Sequence, residues 1–153
     1  MELPFEKKSE RFWMQKLYAP VMREESQELR LPESMPDVGR VIAAWGQPVL
    51  RGKQWRDDHI TIEGGVMVWV LYHPEDGSGP RRLESWLPFR VRLDHSHSGA
   101  DGVIRAESVL CSADARSLSA RKLMLRCVSS MVHGAGQTTT KLRLTSVFTS
   151  YLS

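Results

Sequence analysis

Residues 60–72 read ITIEGGVMVWVLY, and no other stretch says as much about the fold. Val66, Val68 and Val70 alternate with Met67, Trp69 and Leu71, so an extended segment there is apolar on both faces. Valine at every second position suits a pleated strand and is stiff in a helix. A strand apolar on both faces belongs at the centre of a sheet, covered from each side. Val66–Tyr72 is therefore the expected central strand, with Trp69 in the core. Just before it, Ile60 and Ile62 point one way and His59, Thr61 and Glu63 the other. Gly64-Gly65 interrupts the pattern, and glycines inside a strand mark a bulge or a close backbone approach.

Working outward, PEDGSGP at 74–80 is a hairpin loop with an Asp-Gly turn signal. Arg82–Leu93 follows as a half-buried strand. Leu83, Ser85, Leu87, Phe89, Val91 and Leu93 share one parity, and Glu84, Trp86, Arg90, Arg92 and Asp94 the other. Pro88 there points to an edge strand or a bulge. SHSGADG at 96–102 is a second loop, and Val103–Ala113 and Leu118–Val132 form a further strand pair. Residues 135–153 read as a tail or a last strand.

On the other side, Gln47–Trp55 and His59–Glu63 read as strands. PESMP is extended or turning, because a residue before proline avoids helical geometry. Asp37 either caps a helical turn at Val38–Ile42 or precedes a strand opening at Val38. Trp13, Leu17 and Tyr18 fall at helical spacing and Pro20 would interrupt a helix. Residues 1–27 are thus expected to be an arm or short helix, with an edge strand over Gln27–Leu31. The sum is a mainly all-β chain, an antiparallel β-sandwich of about six to eight strands. Residues 28–134 make its domain, and no internal repeat is evident.

The chain has 153 residues, 41% hydrophobic and 25% charged, with a formal charge of +3. Basic and acidic residues alternate and build no basic block, which argues against nucleic-acid binding. The start MELPFEKKSERFW lacks the apolar core of a secretory signal, and no window approaches the ~20 apolar residues of a membrane span. A cytoplasmic protein is expected. Cys111 and Cys127 are too few for a disulfide scaffold. Both read as free, buried small hydrophobes, with a chance disulfide between adjacent strands as the alternative.

Candidate chemistry is sparse. Asp94, His95 and His97 are metal-like, since His95 and His97 would face the same way on a strand. A third or fourth ligand from His59 or His73 has no reason in sequence to reach them. Serines 96, 98, 108, 112 and 117 sit in no nucleophile elbow. Gly64-Gly65 fits no phosphate-binding pattern. Asp57-Asp58 and Glu75-Asp76 read as turn residues. No catalytic, cofactor-binding or metal residue is therefore assigned, and no cofactor is expected. Trp86 lies on the polar parity with Arg90 and Arg92, and exposed tryptophan beside arginine is typical of interface hot spots. Trp86, Arg90 and Arg92 are the candidate protein-binding residues. Trp45, Trp55 or Trp86 could instead serve as stacking platforms for a carbohydrate.

Four stretches taken together resemble the SPOCS domain, a spore-coat-associated family of clostridial spore formers. They are LPESMPDVGRVIAAWG at 31–46, ITIEGGVMVWVLY at 60–72, SWLPFRVRLD at 85–94 and DARSLSARKLMLRCVSSM at 114–131. The overlap covers roughly residues 28–134. The resemblance implies a non-enzymatic structural module in spore-coat morphogenesis, present in the mother cell and associated with the forespore or coat surface. Its implied partners are coat morphogenetic proteins, including the ATPase that forms the basal layer. Self-association is expected as well, because an open sandwich leaves edge strands. Family members often end in a peptidoglycan-binding LysM module. No LysM repeat follows Gly134 here, so peptidoglycan binding is not carried over.

Overall fold

The structure is a computed structural model and describes residues 5–95 and 102–146. Those residues form six strands: β1 Phe5–Arg30, β2 Val38–Trp55, β3 His59–Pro74, β4 Arg81–Asp94, β5 Val103–Ser119 and β6 Lys122–Ser146. They pair into two antiparallel three-stranded sheets, ordered β1-β6-β5 and β2-β3-β4. The sheets close over one shared core, with β2 lying alongside β5 and β1 only sparsely against β4. The chain is an all-β sandwich. Among the described residues no helix is long and apolar enough to cross a membrane.

The core follows from alternation on three strands. Ile60, Ile62, Val66, Val68, Val70 and Tyr72 of β3 are fully buried. Leu87, Phe89 and Val91 of β4 and Leu123, Leu125, Cys127 and Met131 of β6 meet them. Burying each such aliphatic side chain stabilises the fold by about 1.5–3 kcal/mol. β3 is indeed the middle strand of its sheet, but it is not covered on both faces. Met67, Trp69 and Leu71 are only half-buried on the outer face, so Trp69 lies outside the core.

The stretch between β1 and β2, residues 31–37, is pinned to the β5–β6 turn. Leu31 N donates to Arg121 O and Val38 N to Ala120 O, both at 2.9 Å. The Arg121 guanidinium then donates to Met35 O at 2.5 Å, Pro32 O at 2.7 Å and Asp37 Oδ1 at 3.0 Å. Tyr72 Oη donates to Pro36 O at 2.8 Å, and burial holds its phenol pKa above the ordinary tyrosine value. Proline-rich loops leave carbonyls without ladder partners, and here one arginine and one tyrosine satisfy them. LPESMPD, the end of VLY and SARK, far apart in sequence, thus meet at one end of the sandwich.

Several local expectations need correcting. Residues 5–30 are neither an arm nor a helix but one strand, paired with β6 along its length. Pro20 is tolerated because β1 is an edge strand, where a missing donor faces away from the ladder. Val38–Ile42 opens β2 directly and forms no helical turn. His59–Glu63 and Val66–Tyr72 are one strand, since the β3–β4 register runs without a shift through Gly64 and Gly65. Leu118 ends β5 and does not begin the next strand. Residues 135–146 continue β6. Cys127 is buried, which raises its thiol pKa, whereas Cys111 is exposed, and both are free.

Candidate functional site

With the even side chains of β3 committed to the core, Glu63, Met67, Trp69 and Leu71 stand on the outer face of the β2-β3-β4 sheet. Register carries the neighbouring strands with them: Trp45 opposes Trp69, Met67 opposes Trp86, and Pro88 opposes Gly65. Trp45 and Trp69 stack with ring centroids 6.3 Å apart and an interplanar angle of 21°. Trp69 Nε1 donates to Glu84 Oε2 at 3.2 Å, and Trp45 remains 42% exposed. This face therefore carries an aromatic row ending at Trp86.

Trp86 lies across the glycine pair. A Cβ at Gly65 would fall on the indole, so only glycine lets the ring settle onto β3. The register shift between Leu50 and Gly52 makes Arg51 an extra residue on β2. Bulges re-aim side chains, and this one places the Arg51 guanidinium 4.0 Å from the centroid of the Trp86 ring. Beside this stack is an open groove of about 390 Å³, lined by Arg51, Glu63, Gly64, Trp86, Pro88 and Arg90. At Gly64 the groove wall carries no side chain.

The three residues singled out in sequence do share this outward face, although their charges are spent differently. Arg90 Nε lies 3.3 Å from Glu63 Oε1 across the strand pair. Arg92 is drawn toward the β2–β3 turn, 3.1 Å from Asp94 and 3.8 Å from Asp58. Asp58 also contacts His59 Nδ1 at 2.5 Å, and that hydrogen bond is the main cause of its carboxyl pKa lying below the usual range. Arg92 thus belongs to an acidic turn, and Arg51 takes its place beside Trp86. Alternation could not find Arg51, because a bulge breaks the two-residue count.

The remaining candidates are dispersed. Asp94 accepts from Arg92, and the His95 ring packs 4.6 Å from Trp55 while its backbone N–H donates to Asp58 O. Ser96, His97 and Ser98 lie outside the described residues. His59 faces Asp58, and His73 Nδ1 meets its neighbour's carbonyl. Among the described residues no three His, Cys, Asp or Glu side chains could hold a metal ion. Asp57-Asp58 and Glu75-Asp76 sit in or beside turns, where Asp76 accepts from Ser78 N at 2.8 Å and from its hydroxyl. Trp55 packs against the core and Gly102. Comparison of the chain with protein-family models, with curated proteins and with solved structures gives no match.

Proposed function

We propose that this chain is a non-enzymatic assembly protein of the bacterial spore envelope, acting in coat morphogenesis by binding other proteins. The observation that carries the binding role is the Trp86–Arg51 stack over Gly65, continuous with the Trp45–Trp69 pair. Tryptophan and arginine dominate interface hot spots because each presents a large, rigid area with polar edges. The spore setting is supported by the SPOCS-like wording of the four stretches. Three of those stretches converge at Arg121 and Tyr72, so the shared wording coincides with a structural lock.

The expected partners are coat morphogenetic proteins, the basal-layer ATPase among them, reached from the mother-cell side of the forespore. Self-association through sheet edges fits less well than binding through the face. Each open-side edge carries a proline, Pro20 on β1 and Pro88 on β4, and prolines blunt strand addition. A carbohydrate-binding role also finds less support. Arg51 already lies over the Trp86 ring, and His95 packs on Trp55. Fluorescence localisation of the tagged chain in sporulating cells tests the proposal. A ring around the forespore supports it, and a diffuse signal there refutes it.

A further inference from the structure

The groove beside Trp86 has an electrostatic character that the aromatic row alone does not convey. Arg51 is exposed, and among the described residues no carboxylate lies within ion-pair distance of it. A guanidinium lying over an indole makes no hydrogen bond to it, so its N–H donors stay free for another partner. Those donors match a carboxylate, which they can hold with two parallel hydrogen bonds. Across the groove Arg90 is exposed and held by one long ion pair to Glu63, leaving the lining with two cations and one anion. Arg82, four pairs along β4 from Trp86 with Glu84 between them, is exposed and likewise has no carboxylate partner among the described residues. The complement to this surface is negative.

Pro88 indicates how the complement binds. The β3–β4 register is uninterrupted at Gly65 and Pro88, so the proline nitrogen faces away from β3, toward the open edge of β4. The edge beside the groove therefore lacks a donor, and a partner strand could not form an unbroken ladder there. Recognition at this point falls to side chains.

We propose that the groove is a carboxylate-recognition site, in which Arg51, stacked on Trp86, and Arg90 receive Asp or Glu side chains of an acidic segment of a partner protein. This rests on the reading of the outer β2-β3-β4 face as a protein-binding surface. The probe is hexaglutamate, acetylated and amidated so that it has no terminal carboxylate, against hexaglutamine blocked in the same way. Binding to the full chain is followed by tryptophan fluorescence at low and at ~0.15 M salt. Hexaglutamate is expected to quench and to be outcompeted by salt, and hexaglutamine to do nothing. Arg51→Gln should weaken hexaglutamate about tenfold, the value of one charge-assisted pair. Arg116→Gln, on the opposite sheet and paired with Asp114, should leave it within about twofold. Equal loss in both variants, or no binding of hexaglutamate, overturns the proposal. Forespore localisation of Arg51→Gln and of Trp86→Ala separates the two readings. If Trp86→Ala disperses the protein and Arg51→Gln does not, the acidic partner is wrong and the face stands. If neither disperses it, the face itself is wrong.

Discussion

Replacing Gly65 with alanine tests how the outer face is built. A Cβ added there would lie 2.6 Å from Trp86 Cε2 and equally close to the Leu87 carbonyl oxygen. Carbon contacts settle at about 3.5–4.0 Å, so the ring must move by roughly 1 Å and the ladder must give. Displacing the ring forfeits the Arg51 contact, about 0.5–1 kcal/mol for an exposed cation–π pair. Overpacking against backbone adds about 1–3 kcal/mol. Against this, alanine restricts the unfolded chain and returns about 0.4–1 kcal/mol. The net expectation is a loss of about 1–3 kcal/mol, read as a lower urea midpoint at unchanged slope. A cycle with Trp86→Ala isolates the ring's share, because in that background most of the clash is gone. Gly65→Ala should then cost at least about 0.5 kcal/mol less than it does beside the tryptophan. A neutral Gly65→Ala, or strict additivity of the two changes, would refute the packing of Trp86 on β3.

Three further outcomes follow from the same geometry. Arg121→Met removes the hydrogen bonds to Pro32, Met35 and Asp37 and should lower stability by about 2–3 kcal/mol in urea denaturation, with Arg121→Lys recovering part of it. Tyr72→Phe should cost about 1 kcal/mol through the Pro36 hydrogen bond, and it should also flatten the alkaline limb. The sign follows from burial: a raised phenol pKa means the unfolded chain deprotonates first, so wild-type stability holds below about pH 10 and falls above it. Ile62→Ala should cost about 2–5 kcal/mol and Met67→Ala under about 1.5 kcal/mol, and similar losses at both would restore the two-sided burial of β3 that the structure denies.

The fold class was legible because period-two alternation is strong wherever one sheet face is dry. Leu83 to Leu93 on β4 shows this, and so do Leu123, Leu125 and Cys127 on β6. Residues 60–72 misled in one respect. An apolar outer face reads in sequence like a second buried one, and only the absence of a covering layer distinguishes them. Most of β1 was missed because, between Val21 and Leu29, two of its half-buried positions are charged: Arg23 and Glu25 form a part-buried ion pair where an apolar stripe would have announced a strand. Its pairing is written in β6 and not locally. At the site, Trp86 and Arg90 were legible from parity, while Arg51 was hidden by a bulge and Arg92 was diverted by Asp58, a residue of the β2–β3 turn far from it in sequence. Gly64-Gly65, expected to mark a bulge or a close approach, proved to be a close approach, with a bulge on the facing strand opposite Gly64.

In the proposed function, the outer β2-β3-β4 face is what anchors this protein in the spore envelope. Imaging tagged wild type and Trp86→Ala side by side in sporulating cells, with circular dichroism confirming that the variant keeps its sheet signal, tests it most directly. The account predicts a forespore ring for wild type and a diffuse mother-cell signal for the folded variant. A diffuse wild type, or a variant that still encircles the forespore, would contradict it.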